Sequence, residues 1–318
     1  MVDNVDKKIL FELERNSRIP DTQLAKLVRK SKDAVRYRIK KLEEEKIIKN
    51  YKTWIDYSKL GFRTATIYLT IMNFPEKKKE LIDSLKKDSR VYWYGIAEGV
   101  WNVGITYFIK SNNDLFEIKN ELLTKHKGLI IDMKFTSLAS VSASEKSFLV
   151  NSKAKFVTFT EDIENNRLDG VGEKVLKELY WNSKINLAEL SFRCKSSVDI
   201  VRKRMRDFEK LGIIVRYTVE IDYSKLGYTL YKAFIYLGSY TKKELQGIMD
   251  YCEGSKKIIN VVKQIALWDL ELIIFAESFE DYTKVINDLT EIYPKLFKKI
   301  ETAIMSKDVI FPCKEVGF

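Results

Sequence analysis

The sequence predicts an α+β chain in which one architecture is used twice in tandem, and three observations carry that reading. First, the heptapeptide Ile55-Asp56-Tyr57-Ser58-Lys59-Leu60-Gly61 recurs as Ile221-Asp222-Tyr223-Ser224-Lys225-Leu226-Gly227. Second, the same offset of 166 residues holds upstream without a gap. Leu10, Leu13, Ile19 and Leu24 fall on Leu176, Leu179, Ile185 and Leu190. Val35, Arg36, Arg38 and Glu43 fall on Val201, Arg202, Arg204 and Glu209, and Ile47, Ile48 and Tyr51 on Ile213, Ile214 and Tyr217. Downstream the register slips by one, so that Trp101 falls on Trp268. Third, each copy opens with apolar residues at helical spacing and turns to strand-like runs about fifty residues later. With 318 residues the chain is long enough for two such copies, each divided again.

Residues 1–56 read as three short helices and a β-ribbon. Val5, Ile9, Leu10 and Leu13 make one apolar face, Leu24, Leu27 and Val28 a second, and Val35, Ile39 and Leu42 a third. Pro20, Asp21 and Thr22 mark the entry to the second helix, and Ser31 caps the third. The run Ile47–Ile55 is β-branched and aromatic, and Asn50 suggests a turn between two strands. Three helices and a two-stranded ribbon are a winged helix-turn-helix. Residues 62–150 then alternate: strand 65–72, helix 76–87, strands 91–97 and 102–109, helix 114–124, strand 129–136. That βαββαβ order is ferredoxin-like. Residues 151–170 read as a linker, a strand-like KFVTFT followed by polar EDIENNRLDG with Gly170 as punctuation. Residues 171–222 repeat the winged helix-turn-helix. Residues 228–318 repeat the ferredoxin-like domain, with strands 231–237, 258–264, 269–276 and 297–305 and helices 241–251 and 279–292. Amphipathic helices would cover one face of each sheet, and the other sheet would cover the remaining face.

Composition narrows the function. Fifty-six Lys and Arg against 45 Asp and Glu leave a net charge of +11, which suits a polyanion partner. The opening MVDNVDKKIL lacks a secretory apolar stretch and no run approaches the ~18 apolar residues of a membrane span, so a cytoplasmic protein without a membrane partner is expected. Cys194, Cys252 and Cys313 have no metal spacing and form no even disulfide set. A single histidine, His126, rules out His-rich zinc clusters and paired histidine acid/base sites within one chain. No metal and no cofactor are expected.

The third helix concentrates positive charge. Lys30, Ser31, Lys32, Arg36, Arg38 and Lys40 lie in or beside it, and Lys32, Arg36 and Lys40 share one face while Val35, Ile39 and Leu42 hold the other. A helix entering the major groove needs this division between an apolar back and a basic front. Ser31 and Lys32 are placed to reach bases, Arg38 and Lys40 to meet phosphates. The second copy repeats the design with Lys195, Ser197, Arg202, Lys203, Arg204 and Arg206 over Val201, Met205 and Phe208. It differs in carrying Val198 where Lys32 stands and in breaking the triplet of acids after Leu42, of which only Glu209 remains. Cys194, between Arg193 and Lys195, is a weak candidate for a redox thiol.

The pattern Asp6-Lys7-Lys8-Ile9-Leu10, Asn16-Ser17-Arg18, Leu24-Ala25, Ser31, Val35, Arg38-Ile39-Lys40-Lys41-Leu42-Glu43, Ile47-Ile48 and Ile55-Asp56…Leu60-Gly61 resembles the leucine-responsive/asparagine (Lrp/AsnC) regulators, and covers nearly the whole chain as two tandem units. The resemblance implies a transcriptional regulator bound to double-stranded DNA, with ferredoxin-like (RAM-type) domains that pair sheet to sheet and in many members take an amino-acid-like effector. The family's Gly-x-aromatic-Asp turn stands as Gly99-Val100-Trp101-Asn102 and as Ala266-Leu267-Trp268-Asp269, so Gly99, Trp101, Asn102, Trp268 and Asp269 are the effector-site candidates, each copy departing at one position. One chain would then be its own pseudo-dimer, able to pair further as a homodimer, and its two unlike reading helices would prefer an asymmetric site. Two other classes fit the same build. One is an enzyme like the sirohaem decarboxylases, which would have only His126, beside Lys125 and Lys127, and that histidine is expected at the surface. The other is an architectural DNA-binding protein using phosphate contacts alone. The expectation is a regulator and no enzyme.

Overall fold

In the computed structural model residues 2–151, 156–160 and 162–314 are described. The first winged helix-turn-helix comprises α1 (Asn4–Arg15), α2 (Asp21–Val28) and α3 (Lys32–Glu44). Asp3 caps α1 in a capping box with Asp6, and the Ser31 hydroxyl accepts from the backbone N–H of Ala34 at the start of α3. The chain turns from α2 into α3 through Arg29, at φ 54°. The strand that follows, β1 (Ile48–Ile55), corrects the expected ribbon. It runs straight through Asn50 without a turn, and its partner is the corresponding strand of the other copy.

The first ferredoxin-like domain runs β2 (Arg63–Ile71), α4 (Pro75–Lys87), β3 (Val91–Gly99), β4 (Val103–Ile109), α5 (Asn112–Lys125) and β5 (Ile130–Ser144), followed by β6 (Phe156–Thr160). Of the expected linker 151–170, residues 152–155 and 161 lie outside the described residues. The remainder holds β6 and a polar stretch that packs on the first heptapeptide: Lys59 pairs with Glu164, and the Asn166 side-chain amide donates to the Lys59 carbonyl. The second copy supplies α6 (Gly170–Trp181), α7 (Leu187–Cys194), α8 (Val198–Lys210), β7 (Ile214–Ile221), β8 (Thr229–Leu237), α9 (Lys242–Gly254), β9 (Ile258–Ile265), β10 (Leu270–Ala276), α10 (Phe279–Ile292) and β11 (Phe297–Ile310). The last residues of the expected domain 228–318, 315–318, lie outside the described residues.

The two copies close on one another at three levels. In the sheets, each copy keeps the ferredoxin-like order, β5-β2-β4-β3 and β11-β8-β10-β9. The last strand of each is longer than expected, because it leaves its own sheet to pair with the second strand of the other. β5 pairs with β2 up to Ser137 and with β9 from there to Ala143, and β11 pairs with β8 up to Ile304 and with β3 from Ala303 to Ile310. Eight strands thus form a closed ring, with β6 added along the far end of β5. Inside the ring Tyr68, Trp93, Trp101, Phe234, Trp268 and Met305 form one buried cluster. Gly95 and Gly104 make room for Trp93, since a Cβ on either would fall 2.4 and 2.8 Å from its ring.

Between the helical heads, β1 pairs antiparallel with β7, Tyr51 opposite Val219 and Thr53 opposite Tyr217. Ser17 and Ser183, which occupy the same place in the two copies, meet with their hydroxyl oxygens 2.6 Å apart in full burial. Their backbone N–H groups donate across the pair, Ser17 to the Tyr217 carbonyl (2.9 Å) and Ser183 to that of Tyr51 (3.1 Å). Arg18 adds two bonds to the Ser183 and Ile185 carbonyls (2.5 and 2.9 Å).

At the junction of heads and ring lies the repeated heptapeptide, and its packing is crossed. Tyr57 and Leu60 of the first copy fill the core of the second head, with Val175, Leu179, Leu190 and Phe208. Tyr223 and Leu226 of the second copy pack on the core of the first head, around Ile9, Leu13 and Leu24.

Candidate nucleic-acid interface

The apolar backs of the two reading helices are buried as their spacing requires: Val35, Ile39 and Leu42 in α3, and Val201, Met205 and Phe208 in α8. The basic side chains divide into two groups. Arg38 holds the first head together. Its guanidinium meets Asp3 at 2.8 Å and Asp6 at 2.7 Å, tying the middle of α3 to the start of α1. Arg204 does the same in the second copy, where it pairs with the α6 cap Asp169. Arg38 was expected to meet phosphate, but the structure gives it and Arg204 carboxylate anchors instead. Arg36 reaches Asp21 at the head of α2 (2.6 Å), and Arg202 meets Asp199 within its own helix (2.7 Å). The charge of these four arginines is balanced locally.

Lys30, Lys32, Lys195, Lys203 and Arg206 are exposed and make no ion pair among the described residues, while Lys40 has only a loose contact of 3.7 Å to Glu44. Ser31 and Ser197 spend their hydroxyls on capping α3 and α8. Each reading helix therefore carries exposed cations without a tight carboxylate partner beside its balanced arginines. Tyr37, missed by a reading that looked only for cations, is 70% exposed on the outward face of α3, with Lys203 at the corresponding place on α8. The periodicity alone could have found it, since Tyr37 lies on no apolar face.

The effector candidates do not come together as an open site. Trp101 and Trp268 are 1% and 2% exposed, packed between the sheets around Tyr68 and Phe234. Asn102 accepts the backbone N–H of Ile71 (2.9 Å) and Asp269 that of Leu237 (2.7 Å). This shared role explains why Asn and Asp interchange there: both oxygens finish the end of the domain's first strand. Gly99 sits at φ 126°, where a Cβ would fall 2.3 Å from the Thr302 carbonyl oxygen. That glycine is required by the close pass of β11.

His126 is buried, against the expectation of a surface position. It terminates α5 with its Nε2 3.3 Å from the Ser84 hydroxyl, and burial, helped by Lys125, holds its pKa below the usual value. Cys194 is buried too, and burial raises its thiol pKa rather than Arg193 and Lys195 lowering it. A cavity of about 480 Å³ lies between the first head and the ring, lined by Glu12, Arg15, Trp54, Glu145, Phe159 and Arg216 among others. Its arginines are paired: Arg15 with Glu12 and Glu145, and Arg216 with Glu14. Among the described residues no cluster of metal-binding side chains is placed to hold an ion, and no helix is long and apolar enough to cross a membrane.

Comparison with known proteins agrees with this organisation. Residues 2–49 match the winged helix-turn-helix DNA-binding family. The HTH-type transcriptional regulator LrpA of Pyrococcus abyssi is 35% identical over 129 residues, 41% of this chain and 91% of that protein. LrpA of Pyrococcus horikoshii is 33% identical over the same length and shares. Each relative therefore corresponds to one of the two units. A solved structure, that of the siroheme decarboxylase NirDL, follows 96% of this chain and 92% of its own with a TM-score of 0.65 at 13% identity, a likeness of fold across both units. A DNA-binding winged helix-turn-helix at the N-terminus, a unit-length relative at 35% identity and a two-unit fold together place the chain in the Lrp/AsnC family.

Proposed function

We propose that the protein is a sequence-specific transcriptional regulator, not an enzyme, that reads an asymmetric double-stranded DNA site with both reading helices of a single chain. The observation that carries this reading is the coupling of the two heads. The β1–β7 pairing, the Ser17–Ser183 contact and the Arg18 clamp join them into one block. On that block α3 and α8 occupy equivalent places in the two copies, with exposed, unbalanced cations on both. Half-sites for such a pair lie about one helical turn, or a multiple, apart. The covalent tether keeps the second head at high effective concentration once the first has bound.

The test is selection of bound duplexes from a random pool with the wild type, Lys32→Ala/Lys40→Ala and Lys203→Ala/Arg206→Ala. The expected result is a bipartite, asymmetric site of which each variant loses one half. With about six to ten phosphates contacted, affinity falls roughly 10³–10⁵-fold between ~50 and ~200 mM salt. Salt-dependent binding without enrichment would make the protein architectural, and no binding at all would remove the regulator reading.

A second reading has one observation in its favour, the whole-chain likeness to a siroheme decarboxylase. Against it, the 480 Å³ cavity has no surplus of positive charge for an acidic tetrapyrrole, and His126 lies elsewhere, among Ser84, Asp88, Arg90 and Glu121. Incubation with sirohaem, followed by the Soret band and by loss of carboxylate, separates the two. Regulation by an amino-acid-like effector remains part of the proposal, with a binding place other than the buried Trp101 and Trp268.

A further inference from the structure

The two reading helices begin differently. Behind its Ser31 cap α3 opens Lys32-Asp33-Ala34, whereas α8 opens Val198-Asp199-Ile200 behind Ser197. The fold does not require the aliphatic residues. The apolar back of α8 is complete in Val201, Met205 and Phe208, while Ile200 is 48% exposed and Val198 partly exposed. The two aliphatic residues flank the outward face of a charged helix: Lys203 follows Ile200 by one turn, Arg202, paired with Asp199, follows Val198 by one turn, Arg206 lies between the two flanks, and Lys195 precedes the cap. Cations around the rim suit phosphates, so the charge complementarity is to nucleic acid. Within the major groove the apolar group that a base pair offers is the 5-methyl of thymine. The N-terminal residues of a reading helix are the ones that meet base edges.

Resting on the DNA-reading function above, we propose that Val198 and Ile200 of α8 read thymine methyl groups, so that the half-site under the second head is thymine-containing. Lys32 of α3, at the place of Val198, instead presents an ammonium to purine acceptors. The asymmetry of the site would then be chemical as well as sequential: one half read by charge and hydrogen bonding, the other by methyl contacts within a frame of phosphate contacts.

The experiment uses the full chain and two random duplex pools, one made with thymine and one with deoxyuridine in its place, which differ only in the 5-methyl group. From the thymine pool a bipartite site is expected, with thymines enriched in the half lost by Lys203→Ala/Arg206→Ala. Replacing those thymines by deoxyuridine is expected to weaken wild-type binding about fourfold per methyl, the worth of one buried methyl-sized group. Val198→Ala/Ile200→Ala is expected to bind the two duplexes alike, and Lys32→Ala to keep the wild-type ratio. Equal wild-type affinity for the thymine and deoxyuridine duplexes overturns the inference while leaving the regulator reading intact. So does a Val198→Ala/Ile200→Ala variant that binds the thymine site as the wild type does, which would assign the two residues to a protein partner. If neither pool enriches any site, the regulator reading falls first and this inference with it. The wild-type comparison of the two duplexes requires no variant to fold.

Discussion

Arg38 shows what a single residue's type reveals and what it hides. Its charge and its place on a basic helix were legible, but its partners Asp3 and Asp6 lie 35 and 32 residues back, and nothing in local spacing joins them. Charge-assisted bonds to partly exposed carboxylates are worth about 1–2 kcal/mol together. Arg38→Ala is therefore expected to lower the unfolding free energy by about that amount, measured by urea denaturation, and Lys32→Ala to leave it unchanged. DNA binding should respond the other way round, with Lys32→Ala the more damaging once both proteins are folded. The burial of His126 is hidden in the sequence for a similar reason, because it depends on how α4 and α5 meet over β4. Its folded pKa lies below the ordinary 6.5, so protonation favours the unfolded chain. Its contribution to stability is present above pH ~6.5 and is lost as the pH falls through the lowered value. His126→Gln should flatten that part of the stability profile, and a profile equally steep in the variant would exonerate the histidine.

At the scale of elements the helices were read closely, because their periodicity and caps are local. The strands were read in kind but not in extent. The sequence of β1 suggests a hairpin because a short β-branched run needs a partner, and the only one visible in its own neighbourhood is itself. The real partner, β7, lies in the other copy. The far half of β5, Ser137–Ser144, is rich in serine and alanine and has little strand propensity of its own, yet it pairs because β9 offers an open edge. The repeated heptapeptide was recognised as a signature but not as a bracket. Its crossed packing predicts an unusual outcome. Tyr57→Ala removes a buried aromatic ring that packs against Phe108 and Tyr92 and belongs to the core of the second head. A loss of about 3–5 kcal/mol is expected. Hydrogen exchange should rise in α6, α7 and α8, far along the chain, rather than in α1–α3, which precede the mutated residue. Tyr223→Ala should do the reverse. Exchange that rises in the neighbouring head would sink the crossed arrangement.

For the whole molecule, duplication was plain from the repeat, but the departures from symmetry make sense only in three dimensions. Lys232 and Glu271 stand in the second copy where the first has Thr66 and Gly104, and both are buried between the sheets. The Lys232 ammonium lies 2.8 Å from Glu271 and 4.2 Å from the centre of the Trp93 ring, while Glu271 also accepts from the Tyr68 hydroxyl at 2.7 Å and the Gln264 amide at 2.8 Å. Tyr68 and Trp93 come from the first copy and the charges from the second, so the two inner faces complement each other without complementing themselves. A buried ion pair adds little net stability but costs heavily when one partner is removed. Glu271→Gly, which restores the residue of the first copy, should therefore cost about 3–5 kcal/mol, since it leaves Lys232 charged and unpaired. Lys232→Met/Glu271→Leu should recover part of that loss, because the two apolar groups need no partner while the Tyr68 hydroxyl and the Gln264 amide still lose their acceptor. If the unlike faces select each other, that repaired variant gains a pair of sheets with less to distinguish them. It should then exchange partners between chains and show a larger mass in light scattering than the wild type at the same concentration, a single chain being 37.3 kDa. A repaired variant that is stable and strictly monomeric would show that the covalent tether, not the buried pair, keeps the two halves together.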